Sequence, residues 1–259
     1  MLVIRQAQMQ AFRTAAAQSF EQRMVEHLFR FSPLHCRGIG PARVHEAVRA
    51  GLQRAAGYGF TQRGPARFYL ELMFLFGSHF DTDPQLPPWA RQLLQGGGPA
   101  DQLQRADRLH ARVLDYQHAV LGPGHRHARQ AMARLRELAA QPLPLQAEGL
   151  APQIAALLGR IAPERQAQLG AAALLATAER GAETAQAQGL DPLRGALLCS
   201  LLQFELGHGC FRDPLYPWLS RPAPTAGDVA SRTARLERRA LAYLELVMKR
   251  LGPAPCADA

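Results

Sequence analysis

The stretch IGPARVHEAVRAGLQRAAGYGF, residues 39–60, recurs in outline 130 residues later as LGAAALLATAERGAETAQAQGL, residues 169–190. Written without gaps, the two stretches place three glycines in one register: Gly40, Gly51 and Gly59 fall on Gly170, Gly181 and Gly189. In the first copy, apolar residues recur at helical spacing after Pro41, which occupies a first-turn position that tolerates proline. The pattern predicts a helix from Pro41 that the glycines near position 59 end.

The register continues beyond this helix. Phe74, Gly77, Asp83 and Pro84 fall on Phe204, Gly207, Asp213 and Pro214. With a shift of three residues, the segment 108–116 matches 235–243. These matches predict an internal tandem duplication with an offset of about 130 residues. We therefore expect a first helical domain at 1–140, a linker at 141–150 that contains Pro142 and Pro144, and a second helical domain at 151–259.

Strand signals are nearly absent, and helical periodicity is common. Met9, Phe12, Ala16, Phe20, Met24 and Leu28 form one stripe at spacings of three and four. The segment 68–76 and its counterpart 197–206 are apolar nearly all round, which is typical of a buried helix. The sequence therefore predicts an all-α protein made of two similar helical bundles.

The composition is that of a globular protein. Of the 259 residues, 47% are hydrophobic and 20% are charged. No stretch approaches the roughly 18 apolar residues that a membrane span needs. The start of the chain lacks the apolar core of a secretory signal, so we expect a cytoplasmic location. The four cysteines are too widely spaced for a zinc ribbon or a CxxC motif, and we expect reduced thiols.

The net charge of +9 invites a nucleic-acid hypothesis, but all except one of the 30 basic residues are arginines scattered along the chain. Arg43, Arg49 and Arg54 alternate with apolar residues at helical spacing, and no basic run or aromatic-interleaved patch occurs. Nucleic-acid binding is thus the less favoured interpretation of the charge. Weak adhesion to a polyanion, or an acidic protein partner, stays compatible with it.

The densest group of potential ligands follows the first buried segment. His79, Asp81 and Asp83 present one imidazole and two carboxylates, a donor set suited to a divalent metal. The structural alternative is that Asp83 is the N-cap of a short helix beginning at Pro84. The corresponding second segment keeps the glycine and the Asp-Pro pair but has no histidine or aspartate opposite His79 and Asp81, so a metal site would be specific to one half.

Catalytic and cofactor motifs are missing from the sequence. There is no phosphate-binding loop, dinucleotide fingerprint, HExxH or GxSxG motif, and we expect no cofactor. Cys36 is adjacent to His35 and Cys210 is near His208, but no third group that orients a nucleophile is assignable. Enzymatic function is therefore the minority hypothesis.

Residues 60–65 (FTQRGP) and 69–84 (YLELMFLFGSHFDTDP) resemble a family of uncharacterised bacterial proteins encoded beside type VI secretion spike, PAAR-tip and effector genes. Residues 1–6 and 207–218 (GHGCFRDPLYPW) look like the same family, so the resemblance covers both halves. The second proline before Trp89 departs from the family pattern. The resemblance implies an accessory, adaptor or immunity-like protein that binds a secreted effector or a spike component.

The favoured hypothesis is a non-catalytic interaction protein that holds a protein partner in a groove between its halves. Aromatic residues near loops anchor many interfaces, which makes Phe80, Trp89, Tyr216 and Trp218 the candidate contacts. The alternative role of these aromatics is to close the two cores. The competing function is a metal-dependent enzyme or effector that uses His79, Asp81 and Asp83.

Overall fold

The structure is a computed structural model that describes residues 5–97, 101–139, 144–220 and 228–251. All regular secondary structure in these ranges is helical. The prediction of an all-α protein is confirmed.

The helices divide into a first half, a connecting helix and a second half. The first half contains α1 (Gln6–Phe31), α2 (Pro33–Ile39), α3 (Pro41–Gly57), α4 (Arg63–Phe76), α5 (Pro88–Gln95) and α6 (Gln102–Leu121). The connecting helix is α7 (Arg126–Ala139), preceded by a 3₁₀ turn at Pro123–His125. The second half contains α8 (Leu150–Ile161), α9 (Pro163–Leu169), α10 (Ala171–Ala187), α11 (Arg194–Leu206), α12 (Pro217–Ser220) and α13 (Val229–Leu251).

Helix boundaries in the two halves recur at a constant spacing. The bounds of α2 and α3 lie 130 residues before those of α9 and α10, and the ends of α4 and α11 keep the same spacing. The glycines that follow α4 and α11 have nearly the same backbone angles, φ 91° and ψ 153° at Gly77 and φ 90° and ψ 152° at Gly207. Each half also has a 3₁₀ turn after this glycine, at Phe80–Thr82 and Cys210–Arg212. Below, positions 130 residues apart are called corresponding positions.

Helix α1 is buried only in its second part. Met24, Val25 and Leu28 pack into the core of the first half, whereas residues 5–19 are all exposed. The apolar stripe predicted along the whole helix therefore lies partly in solvent, with Phe12 64% exposed. The corresponding helix α8 begins at Leu150, opposite Phe20, and has no equivalent of the exposed part.

The centre of each half is the buried helix that the sequence predicts. In α4, Tyr69, Leu70 and Met73 are at most 1% exposed, and in α11 Phe204 is fully buried. Helix α4 passes so close to α3 that a side chain at Gly51 would collide with Leu70 and Met73. In the second half, a side chain at Gly181 of α10 would collide with Ser200 of α11. The two glycines, which lie at corresponding positions of the halves, thus allow close helix packing.

Helix α7 packs against the second half. Ala131 belongs to the same apolar cluster as Ile154 and Leu158 of α8. The Arg134 guanidinium donates a hydrogen bond to the carbonyl of Ile161, at 3.1 Å. The last helix of the segment expected as the first domain is therefore part of the packing of the second half. Residues 141–143 of the expected linker lie outside the described residues, and Leu150 already belongs to α8.

A third apolar cluster joins the halves. Ala47 of α3 and Phe74 of α4 pack with Leu202 of α11, Leu215 and Tyr216. Among the described helices, none combines the length and the apolar character needed to cross a membrane.

Candidate functional site

The loops after α4 and α11 meet where the halves touch. A Cβ at Gly77 would lie 2.5 Å from the carbonyl oxygen of Leu206, and a Cβ at Gly207 would lie 2.6 Å from that of Phe76. Both glycines have φ near +90°, which side chains other than hydrogen rarely allow. Glycine at these two positions therefore lets the two backbones pass within contact distance.

An aspartate of each half binds the residue that follows this glycine in the other half. Asp213 accepts hydrogen bonds from the backbone N–H of Ser78, at 2.7 Å, and from its hydroxyl, at 2.6 Å. Asp83 accepts one from the backbone N–H of His208, at 2.7 Å, and the imidazole Nδ1 of His208 lies 3.3 Å from the same carboxylate oxygen. The two contacts are reciprocal, because Asp83 corresponds to Asp213 and Ser78 to His208.

The same carboxylates also organise their own loops. Asp83 accepts the N–H of Gln85 at 2.9 Å, and Asp213 accepts the N–H of Leu215 at 2.8 Å. Helix α5 begins at Pro88, so Asp83 is not the cap of a helix starting at Pro84 as the structural alternative proposed. Burial alone would raise the pKa of Asp83, but the hydrogen bonds from His208 and Gln85 outweigh it and lower the pKa.

The three candidate metal ligands have separate partners. Asp81 pairs with the Arg54 guanidinium, and Asp83 faces the second half. His79 Nδ1 lies 2.9 Å from Arg54 Nη1, and its pKa is lowered first by burial and then by that guanidinium. Among the described residues, no three histidine, cysteine or acidic side chains are grouped so that they would hold a metal ion. In this loop, Asp83 links the first half to the second. The positive charge next to Asp81 and His79 is that of the Arg54 guanidinium.

The candidate nucleophiles are buried thiols. Cys36, Cys199 and Cys210 are all 0% exposed. Burial raises the pKa of Cys36 to about 11 and that of Cys199 to about 12, and it raises the pKa of Cys210 as well. A reactive cysteine needs a lowered pKa and access to solvent, so these thiols have a packing role.

Two of the four candidate aromatic contacts lie inside the protein. Phe80 is 2% exposed and Tyr216 is 7% exposed. Trp89 and Trp218 are half-buried, and their rings lie against Tyr116 and Tyr243 at centroid distances of 6.4 and 5.4 Å. Phe80 and Tyr216 are therefore not surface anchors but core residues, as the alternative interpretation had it.

Several of the arginines that dominate the net charge have structural contacts. Arg105 donates to the carbonyls of Leu94 and Tyr58, both at 2.8 Å, and lies over the ring of Phe60. Arg232 of α13 donates to the carbonyl of Gly189, at 2.8 Å from Nη2. These guanidiniums satisfy carbonyls at turns after α3 and α10, which is a use of arginine that needs no polyanion.

An open apolar cleft of about 340 Å³ lies between α7, α11 and α13. Its walls are mainly leucine and methionine side chains, among them Met132 and Leu135 from α7, Leu197 and Leu201 from α11, and Leu241 and Leu244 from α13. A cleft of this volume is at the small end of the range for ligand sites and has room for a few apolar side chains. Below, we call this set of residues the leucine cleft.

The first half has charged residues where α11 contributes leucines to the cleft. Leu197 and Leu201 correspond to Arg67 and Glu71 of α4. Arg67 Nε lies 3.3 Å from Glu71 Oε1, and the same oxygen lies 2.7 Å from His27 Nε2. At these positions α4 therefore makes polar contacts, one of them with α1, where α11 has apolar side chains. The apolar walls of the cleft are a property of the second half.

One acidic side chain faces the cleft without a partner. Glu205 of α11 is half-buried and has no hydrogen bond or ion pair with any residue that the structure describes. Burial raises the pKa of this carboxyl, and the positive charge of Arg165 opposes that effect only in part. Glu205 also borders a second cavity of about 220 Å³ between the halves, lined by Phe76, Tyr116 and Arg165.

The rim of the cleft is made by charges that already have partners. Arg194 pairs with Glu237 of α13. Asp191 accepts the backbone N–H groups of Leu193 and Arg194, at 2.9 and 2.7 Å, and so satisfies the start of α11. Glu205 is therefore distinguished from Asp191 and Glu237 by its lack of such contacts.

Sequence reasoning did not identify the leucine cleft, because its three helices are separated by up to a hundred residues along the chain. The available signal was the comparison of corresponding positions, which places leucine opposite Arg67 and Glu71 and glutamate opposite Leu75. No protein-family model matches this chain, and neither a curated protein nor a solved structure matches it.

Proposed function

We propose that this chain is a non-catalytic interaction protein that binds an apolar segment of a partner protein in the leucine cleft. The observation that carries the proposal is the contrast between the halves. At corresponding positions, Leu197 and Leu201 line the cleft whereas Arg67 and Glu71 form an ion pair, in which Glu71 also contacts His27 of α1. Leu197 is part of the core of the second half, and the cleft beside it is an apolar concavity of the kind that is typical of a binding site.

The proposal includes a duplicated scaffold. Support comes from the helix spacing of 130 residues and from the reciprocal contacts of Asp83 with His208 and Asp213 with Ser78. In such a scaffold one copy is free to diverge toward binding while the other keeps a polar surface. The cleft lies between the connecting helix α7 and the second half, so this proposal departs from the expectation of a groove between the halves.

For the identity of the partner, the support is the resemblance of residues 60–84 and 207–218 to proteins encoded beside type VI secretion genes. We therefore propose a secretion effector or spike component, with this protein as an adaptor or immunity-like factor. We place this role in the cytoplasm, where the thiols of Cys36, Cys199 and Cys210 stay reduced.

The test compares two leucines in equivalent environments. Leu241 of α13 is 39% exposed and lines the cleft, whereas Leu114 of α6, at the matching position of the first half, is 43% exposed and lies outside it. Glutamate at either position is expected to change the free energy of unfolding by less than about 1 kcal/mol, because both side chains reach solvent.

Tagged wild-type, Leu241→Glu and Leu114→Glu proteins are used for affinity purification from the native cytoplasm, with quantitative mass spectrometry. The proposal predicts a stoichiometric partner that wild type and Leu114→Glu retain and that Leu241→Glu loses. Equal recovery of that partner with all three proteins would show that it binds elsewhere.

A further inference from the structure

The leucine cleft contains one carboxylate that the fold does not explain. Glu205 is half-buried among leucines, and the corresponding residue in the first half is Leu75, which is 42% exposed. A leucine at position 205 would continue the apolar wall formed by Leu197 and Leu201. A carboxylate there gives up part of its hydration, which costs free energy unless a partner compensates.

Two cations, one beside Glu205 in the cavity between the halves and one at the rim of the cleft, have other contacts. Arg165 of α9 donates to the side-chain oxygen of Gln85, at 3.0 Å, and its guanidinium lies 4.1 Å from the centroid of the Phe204 ring. Arg194 pairs with Glu237 at the rim. Within the described part of the chain, neither of these cations forms an ion pair with Glu205, and only the longer-range charge of Arg165 acts on it. A cation of a bound ligand would give this carboxylate a direct partner.

Helix α7 shows what kind of ligand fits the walls. It covers one edge of the cleft with Met132, Leu135 and Leu138, which recur every three residues. The opposite edge is formed by Leu241 and Leu244 of α13, and none of the residues that the structure describes closes the space between the two edges. A second helix with apolar residues at spacings of three and four is complementary to this opening, in the way that amphipathic helices bind apolar grooves.

We propose that the leucine cleft binds an amphipathic helix of the partner protein, and that a lysine or arginine of this helix pairs with Glu205. The inference rests on the proposed function and adds the chemistry of the bound segment. An ion pair in this partly desolvated position contributes more than one at the surface, because water and salt screen it less. Glu205 is thus a specificity determinant that favours a helix with a cation inside its apolar stripe.

Three synthetic helical peptides of the same length provide the probes. They share one leucine stripe and differ at its central position, which is lysine, norleucine or glutamate. Their dissociation constants are measured by fluorescence anisotropy with the full-length wild-type protein, with Glu205→Gln, which keeps the shape, and with Glu205→Leu, which reproduces the residue of the first half.

With wild type, we expect the lysine peptide to bind at least about tenfold more tightly than the norleucine peptide, and the glutamate peptide to bind most weakly. With Glu205→Gln and Glu205→Leu, the preference for lysine is expected to disappear while the norleucine peptide binds as before or more tightly. This pattern would support the pairing with Glu205.

Other outcomes would overturn the pairing with Glu205, the binding of a helix, or the assignment of the cleft to a partner protein. Equal affinity of the three peptides for wild type would refute the pairing and leave the cleft as a binding site. If none of the peptides binds wild type, the inference that the cleft binds a helix is refuted. The proposed function is then decided separately, by whether Leu241→Glu loses the partner in the affinity purification. A wild-type dimer in sedimentation experiments that dissociates in Leu241→Glu would instead assign the cleft to a second copy of this chain, whose exposed part of α1 carries Phe12 and Arg13.

Discussion

Asp213 accepts two hydrogen bonds from Ser78, which lies 135 residues earlier in the chain, one from the backbone N–H and one from the hydroxyl. The corresponding aspartate, Asp83, binds His208 in the reverse direction. Both contacts are at the place where the backbones of Gly77 and Gly207 pass each other. The paired loops are therefore the polar part of the interface that fixes the second half, and its leucine cleft, against the first.

The first prediction concerns this contact. Asp213→Ala removes the bonds from both donors of Ser78 and from the N–H of Leu215, and it is expected to destabilise the protein by roughly 2–4 kcal/mol. Ser78→Ala leaves the backbone bond and should cost only about 1 kcal/mol. Chemical denaturation of both variants and of the double variant measures the coupling between them. Additive effects would show that the Ser78 hydroxyl and the Asp213 carboxylate do not interact in solution.

The second prediction concerns the glycines at the crossing. Gly77→Ala places a methyl group against the Leu206 carbonyl in a backbone conformation that favours glycine. We expect a loss of at least about 2 kcal/mol in the free energy of unfolding. Gly64→Ala is the control, because nothing lies within 4 Å of its added Cβ and the position is helical. It should be neutral or stabilise the protein by up to about 1 kcal/mol. Similar losses for both variants would argue against a close approach at Gly77.

The third prediction concerns pH. Burial and the Arg54 guanidinium lower the pKa of His79 in the folded protein. The unfolded chain therefore takes up a proton near the ordinary histidine pKa of about 6.5 that the folded protein does not. The stabilising effect of neutral His79 is complete above this pH and is lost as the pH falls through it toward the folded pKa.

His79→Gln is accordingly expected to reduce the fall in unfolding free energy between about pH 7.5 and about pH 5.5. Denaturant titrations at several pH values measure the slopes. A slope for His79→Gln as steep as that of wild type would disprove the assignment to His79.

The fourth prediction separates the two parts of α1. Leu28 is fully buried, so Leu28→Ala should cost about 2–5 kcal/mol. Phe12 is in the same apolar stripe but is 64% exposed, and Phe12→Ala should change the stability by less than about 0.5 kcal/mol. Thermal and chemical unfolding of the two variants decide this. A cost above about 2 kcal/mol for Phe12→Ala would mean that the first part of α1 is packed in solution.

The fifth prediction concerns the thiols. Cys36, Cys199 and Cys210 are buried and have raised pKa values, so they should react with a thiol reagent only as fast as the protein opens. Cys256→Ser removes the remaining thiol, which lies outside the described residues. In this variant, the labelling rate should rise with denaturant. Rapid labelling of one thiol per chain under native conditions would contradict the burial.

Local sequence signals predicted individual helices well. Proline after Gly40 and glycine at position 59 delimit α3, because each residue acts on the backbone at its own position. The apolar stripe predicted burial along all of α1, but residues 5–19 are exposed. Periodicity shows that one face of a helix is apolar. It does not show that another element covers this face. The prediction of Phe80 as a surface anchor rests on its position near a loop. The sequence does not show whether the side chain of such an aromatic residue points into the core or into solvent.

The leucine cleft depends on how α7, α11 and α13 come together, which local patterns do not encode. Leu197 and Leu201 look like ordinary core residues when α11 is considered alone. Their position next to an open space emerges only from the packing of α7 and α13. The corresponding residues of the first half are Arg67 and Glu71. This difference between the halves carries the proposed function.

The measurement that tests this account most directly is site-specific photo-crosslinking to the partner. A benzophenone amino acid replaces Leu241 in one protein and Leu114 in another, the two matched and similarly exposed leucines. Each protein is irradiated in the native cytoplasm, and adducts are identified by mass spectrometry. The account predicts one dominant adduct from position 241, with the protein that co-purifies with wild type, and no such adduct from position 114. An adduct from position 114 alone, or equal adducts from both positions, would contradict the assignment of the partner to the leucine cleft.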